Sequence, residues 1–182
     1  MGRIQPPLAV NLFVGMLSYD ENLFLSVERR LEEEFGPVDL TSDVIPFNFT
    51  DHYEKEMGRN IRRKFISFER LIEPGRIAPI KVFTNRMEED FSKMHFPVSR
   101  PINLDPGYIG GGKLVLASTK DNAHRIFLGE GIYAEITSRY VGGRFEPLPW
   151  TYPDYRTKEY LEFFSRLREL YLDKLKKQAV GT

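Results

Sequence analysis

The chain has no cysteine, which removes disulfides, thiolate nucleophiles, zinc–thiolate sites and iron–sulfur ligation together. It has few histidines: His52, His95 and His124 are too scattered to suggest a His-rich metal site. It has no net charge, because 26 basic side chains balance 26 acidic ones, so no whole-molecule field draws it to nucleic acid or to an anionic membrane. Any partner must be recognised locally. No apolar run approaches the ~20 residues that span a bilayer. The opening MGRIQPPLAVNLFVGML has one basic residue, is interrupted by Asn11 and Gly15, and lacks a small-residue cleavage pattern, so it reads as a buried strand and not as a signal peptide. These absences together suggest a cytoplasmic setting.

What remains is a chain of 182 residues, the size of one domain able to bury a core without metals or disulfides. Leu8 to Leu17 is apolar on both alternating faces, the pattern of a central strand. Ser18 stands three residues before Glu21 at capping-box spacing. Leu23, Phe24, Val27 and Leu31 then recur at helical intervals until Phe35-Gly36-Pro37 closes the helix. Val38 to Phe49 reads as extended with Pro46 at an edge or bulge, DHYEKEMG as a turn of helix, and Lys64 to Leu71 as another strand. After Pro74-Gly75, a second amphipathic helix carries Ile80, Phe83, Met87, Phe91 and Met94.

Lys113 to Thr119 and Arg125 to Leu128 read as short strands joined by a hairpin loop, KDNAH, and Ile132 to Thr137 continues after the break at Gly129-Glu130-Gly131. Asp154 to Lys177 spaces Leu161, Phe164, Leu167, Leu170, Tyr171 and Leu175 as a terminal helix. The sum is an α+β fold in a single domain from 1 to 182. A mixed or antiparallel sheet is covered by helices, close to a ferredoxin-like βαββαβ core with extra strands and a C-terminal helix.

The stretch GYIGGGK, Gly107 to Lys113, fits the G-x-x-x-x-G-K of a phosphate-binding loop, and Thr119-Lys120-Asp121 echoes a guanine-selecting motif. Neither match has its context. Leu114 stands where a Ser or Thr would bind magnesium, and KLVLAST alternates like a strand, so the helix N-terminus that faces the phosphates is missing. The glycines read as a turn between strands.

Polar residues gather in the second half: Asp105, Lys113, Lys120, Asp121, His124, Arg125, Tyr133, Glu135 and Thr137. Tyr133, Glu135 and Thr137 share a strand face by period-two alternation. A histidine within reach of a carboxylate such as Glu135 or Asp105 suits proton transfer. The proline-stiffened PLPWTYPDYR carries Trp150 and Tyr152 for stacking and Arg156 for a phosphate or carboxylate, although Trp150 sealing the core and Asp154 capping the last helix explain the same residues.

The segments FNFTDHYEKEMG, NLDPGYI, KLVLASTKDNAHRI, GIYAEIT and PLPWTYPDYR resemble a family of bacterial and archaeal single-domain proteins of about this length, known as a domain of unknown function. The resemblance spans nearly the whole chain and implies no activity, cofactor or catalytic residue.

One reading makes a pocket of Asp105, His124 and Glu135 as proton-transferring groups. Lys113, Lys120, Arg125, Tyr133, Trp150, Tyr152 and Arg156 then bind a small anionic ligand, a phosphate or nucleotide. On that reading His124→Ala or Glu135→Gln leaves the fold intact. The alternative is a non-catalytic module that binds a protein or RNA through the Trp/Tyr loop and the basic stretches Arg59 to Lys64 and Lys174 to Lys177.

Overall fold

A computed structural model describes residues 2–50 and 54–180. In chain order the strands are β1 (Val10–Ser18), β2 (Val38–Thr41), β3 (Ile45–Pro46), β4 (Arg62–Ile72), β5 (Ile102–Gly110), β6 (Lys113–Ser118), β7 (Ile126–Gly129), β8 (Ile132–Val141) and β9 (Arg144–Pro147). The helices are α1 (Asn22–Phe35), α2 (Glu54–Met57), α3 (Ile77–Ser92) and α4 (Lys158–Val180), with single 3-10 turns at Pro74–Arg76 and Asp154–Arg156. Of DHYEKEMG, Asp51, His52 and Tyr53 lie outside the described residues, and the rest includes α2.

Among the described residues the nine strands form one sheet in the order β2-β4-β1-β5-β6-β8-β7, with β3 beside β4 and β9 beside β8. Each of these pairings is antiparallel. β1 is central because both its faces are apolar. Leu12, Val14 and Met16 pack with α1 and α3 through Val27, Leu31, Ile80, Met87 and Phe91. Phe13, on the opposite face, joins Phe65 and Leu116 under the α4 residues Tyr160, Phe164, Leu167 and Tyr171. No helix of the described residues is long and apolar enough to cross a membrane.

Several local expectations change. Ser18 does not cap α1: its hydroxyl donates to the Pro101 carbonyl (2.8 Å) and accepts from the Asp20 amide (3.0 Å), fixing the end of β1. Val38 to Phe49 is broken at Ser42, whose hydroxyl accepts from the Phe65 amide (2.9 Å). α3 begins earlier than Ile80, since Pro79 falls in its first turn, where the missing N–H has no intrahelical partner to lose, and Met94 lies beyond it, exposed.

KDNAH is not a hairpin loop. β6 pairs with β5 and β8, and β7 pairs with β8 alone. The tight turn is instead Gly129-Glu130-Gly131, with φ of 105°, 54° and 74°, which folds β7 back on β8 and leaves β7 at the sheet edge. β5 runs through Asp105-Pro106-Gly107, residues that argue against a central strand. It pairs with β1 from Ile102 to Ile109, and Pro106 lies just outside its ladder with β6, which begins at Gly107.

Candidate functional site

The register of the sheet sets out the face covered by α4. Phe13, Gly107, Leu116 and Glu135 lie in one row across β1, β5, β6 and β8. The neighbouring row holds Phe65, Gly15 and Asp105, and one step further Arg63 and Asn103 flank Leu17. Polar side chains therefore enter an otherwise aromatic face at three places: one on β8, one across β4 and β5, and one at Asn11 of β1 and Ser67 of β4, where Lys174 of α4 meets Asn11.

On β8, Glu135 is the centre. Its Oε2 accepts from Arg125 Nε (2.8 Å) and lies 3.1 Å from His124 Nε2, and its Oε1 accepts from the Thr137 hydroxyl (3.1 Å). Arg125 also donates to the Ser118 hydroxyl (2.8 Å), the Lys120 carbonyl (2.9 Å) and the Tyr152 hydroxyl (2.6 Å). Both side chains of the Arg125–Glu135 pair are 1% exposed. Burial alone would lower the arginine pKa, but Glu135 and Tyr152 outweigh it and hold the guanidinium above its ordinary value. Burial pushes the Tyr152 phenol up, against the opposing pull of Arg125.

His124, 23% exposed at its side chain, stacks on Trp150 with ring centroids 5.2 Å apart and planes 14° from parallel. The indole is pinned in turn by a 2.8 Å hydrogen bond to the Ile136 carbonyl. The result is a ledge on which His124, Trp150 and Tyr152 surface together above a buried ion pair.

Asp105 is not a member of this group. Its Oδ2 accepts from Arg63 (2.9 Å) and from Asn103 (2.8 Å), and Arg63 also reaches Asp154 (3.3 Å) and the Tyr160 hydroxyl (3.2 Å). Gly15 makes room for this: a Cβ there would lie 3.0 Å from Arg63 Nη1 and 2.8 Å from the Phe65 ring. The guanidinium is caged by the rings of Phe47, Phe65, Tyr155 and Tyr160 at 5.4–6.0 Å. Burial pushes Asp105 up, but the charges of Arg63, Lys81 and Arg100 reverse this and leave its pKa below the usual value, whereas burial keeps Asp154 raised despite Arg63. Asp154 is thus a buried partner of Arg63 and not an exposed helix cap.

The remaining expected residues separate. Lys113 opens β6 at the end of the sheet away from Ser118, exposed. Lys120 is exposed on the loop after β6, near the ledge by its backbone. Tyr133 packs on Phe127 (5.2 Å). Arg156 turns back on its own loop, donating to the carbonyls of Thr151, Leu148 and Pro149. Among the described residues no three His, Asp or Glu side chains are placed to hold a metal ion.

The family described as a domain of unknown function (DUF4416) matches residues 8–171. The chain belongs to this family. No curated protein and no solved structure matches it.

In this DUF4416 chain the residue missed by sequence reasoning is Arg63, which the basic stretch Arg59 to Lys64 concealed. Strand alternation splits that stretch. Arg62 and Lys64 face Glu21 (3.6 Å) and Glu28 (2.6 Å), while Arg63 shares the parity of Phe65 and is buried. A charge in phase with a buried aromatic was the available signal. Lys174 likewise turns inward, to the Asn11 side chain (2.6 Å), the Phe68 carbonyl (2.8 Å) and Asp39. Neither basic stretch is a continuous positive surface.

Proposed function

We propose that the protein binds a small ring-bearing anion on the His124–Trp150–Tyr152 ledge and that His124, backed by Glu135, moves a proton on it. The carrying observation is the buried Arg125–Glu135 pair whose outward contacts are His124 and Tyr152. A buried ion pair gives little net stability compared with apolar residues of similar size, so its value here lies in holding two surface groups in fixed orientation. Glu135 accepts from Arg125 and Thr137, so Nε2 of His124 carries the proton toward it. Nδ1, on the other side of the ring and without a protein partner among the described residues, is the nitrogen left to meet a ligand. The exposed indole offers a stacking surface, and Lys120 supplies one ammonium for a phosphate or carboxylate.

Trp150 is the single tryptophan, so its fluorescence reports on the ledge directly. Titration with nucleoside monophosphates is expected to quench it saturably, and His124→Ala to remove the response with the fold retained. Equal quenching in the variant would rule out the ledge as the site.

The region β1-α1-β2-β4-α3-β5, with strand order β2-β4-β1-β5 and both helices on one face, supports reading a ferredoxin-like core to which β6 to β9 and α4 are added. The added part carries the ledge. A second reading, a partner-binding module, is favoured by the edge strand β7, where Ile126, Phe127 and Leu128 are 72%, 59% and 42% exposed in succession. Phe127→Lys separates the two: it abolishes association with a partner and leaves nucleotide quenching unchanged.

A further inference from the structure

We propose that the groove between β9 and α4 is a separate binding site for a small phosphorylated molecule, with Arg156, Arg166 and Arg144 as its anion-holding groups. The groove has a volume of about 630 Å³, within the roughly 300–1,000 Å³ of small-ligand sites. Phe145 and Leu161 give it an apolar floor, and its charged lining is Arg144, Arg156, Lys158 and Arg166 against Glu162 and Glu169. In a chain with no net charge this is a local positive field.

Arg156 makes the groove a built site. Its Nε donates to the Thr151 carbonyl (2.9 Å) and its Nη2 to the carbonyls of Leu148 (2.9 Å) and Pro149 (3.1 Å). Carbonyls fix the plane of the guanidinium without cancelling its charge, and Nη1 keeps no protein partner among the described residues. The surrounding cations are also under-neutralised. Arg144 (3.4 Å) and Arg139 (3.2 Å) share the one carboxylate of Glu146. Arg166 has no ion-pair partner among the described residues, and Lys158 meets Glu162 at 3.5 Å with both side chains mostly exposed. One fixed guanidinium and two exposed ones around a concave apolar floor match a phosphate's several oxygens attached to a small organic body, and the preset Arg156 reduces the ordering cost of binding. This site shares no proposed binding residue with the ledge and does not rest on it.

The test is titration of the full chain with pyrophosphate, followed by amide NMR shifts and calorimetry. Binding is expected to shift Phe145, Leu161 and Ser165 and to weaken with added salt. Arg166→Gln and Arg144→Gln should each reduce affinity by about tenfold at an unchanged unfolding midpoint, and Glu162→Gln should increase it. Arg156→Lys is the more severe change but also loosens its loop, so the two exposed variants decide. Shifts confined to other surfaces, or unchanged affinity in Arg166→Gln and Arg144→Gln, overturn the proposal. So does tight binding of polyglutamate without pyrophosphate, which assigns the groove to an acidic protein segment instead.

Discussion

Arg63 holds two carboxylates with one charge inside an aromatic cage; removing it leaves Asp154 buried without its counter-charge and takes from Asp105 its nearest cation, although Lys81, Arg100 and Asn103 remain beside Asp105. Arg63→Met is therefore expected to lower unfolding free energy in urea by about 3–5 kcal/mol. The two partners respond oppositely to acid. Asp105 has a depressed pKa, so its stabilisation is present above the unfolded value of 3.8 and is lost as pH falls below it. Asp154 has a raised pKa, so its protonation favours the folded state, and that contribution is lost as pH rises through the folded value. In the native chain the two partly offset each other. Asp154→Asn removes the favourable protonation and should make stability fall more steeply between pH 5 and 3; an unchanged acid limb would contradict the opposite shifts. Glu135 demands a similar correction, because the expectation that its substitution spares the fold assumed a surface residue. Paired with a 1% exposed Arg125, Glu135→Gln leaves that guanidinium buried without its counter-charge and should cost about 3–5 kcal/mol in the same urea measurement, while half-buried His124→Ala should stay within about 1 kcal/mol.

Among the elements, the glycine-rich hairpin of β5 and β6 divides sharply. A Cβ on Gly107 would lie 2.4 Å from the Val115 carbonyl oxygen and 2.5 Å from Phe13, neither of which can yield without breaking the ladder or the core. A Cβ on Gly111 or Gly112 would meet nothing within 4 Å among the described residues, and neither glycine has a positive φ. Gly107→Ala is expected to cost at least about 3 kcal/mol, and Gly111→Ala to be near neutral, as read from urea midpoints. Since Lys113 merely starts β6, Lys113→Ala should leave any GTP affinity equal to that of other nucleotides; a magnesium-dependent, guanine-selective loss in calorimetry would reverse that assignment. Local signals made β1 and α1 legible, because a two-sided apolar run and a repeating helical stripe depend only on neighbours in sequence. Pairing was not legible in the same way. Nothing between Lys113 and Thr137 tells a reader that β8 inserts between β6 and β7, and Gly142-Gly143 gave an unread turn into β9. Within the site, His124 and Glu135 were visible as types that pair, but Asp105 belonged to Arg63, and only the register across β1, β4 and β5 brings those two together.

At the scale of the molecule, α4 closes the sheet with tyrosines as well as phenylalanines, and this ties global stability to alkaline pH. Burial raises Tyr160 to about 12 from an ordinary 10.0, outweighing the pull of Arg63, and holds Tyr155 well above its ordinary value for the same reason. A raised folded pKa means that the stabilisation is whole below the unfolded value and is lost as pH climbs toward the folded one. Unfolding free energy should thus decline from about pH 10 upward, with phenolate absorbance of the buried rings appearing only as the fold is lost. Tyr155 separates this effect from hydrogen bonding, because its hydroxyl is buried with no hydrogen-bond partner among the described residues, unlike that of Tyr160, which accepts from Arg63 at 3.2 Å. Tyr155→Phe removes an unsatisfied polar group and is expected to match or exceed native stability at pH 7 while flattening the alkaline decline. Tyr160→Phe flattens it too, but at a loss of about 1 kcal/mol at neutral pH, because Arg63 Nε is left without its acceptor. If Tyr155→Phe were destabilising at neutral pH, its hydroxyl would have to be engaged in the folded protein, and the alkaline decline could no longer be assigned to burial alone.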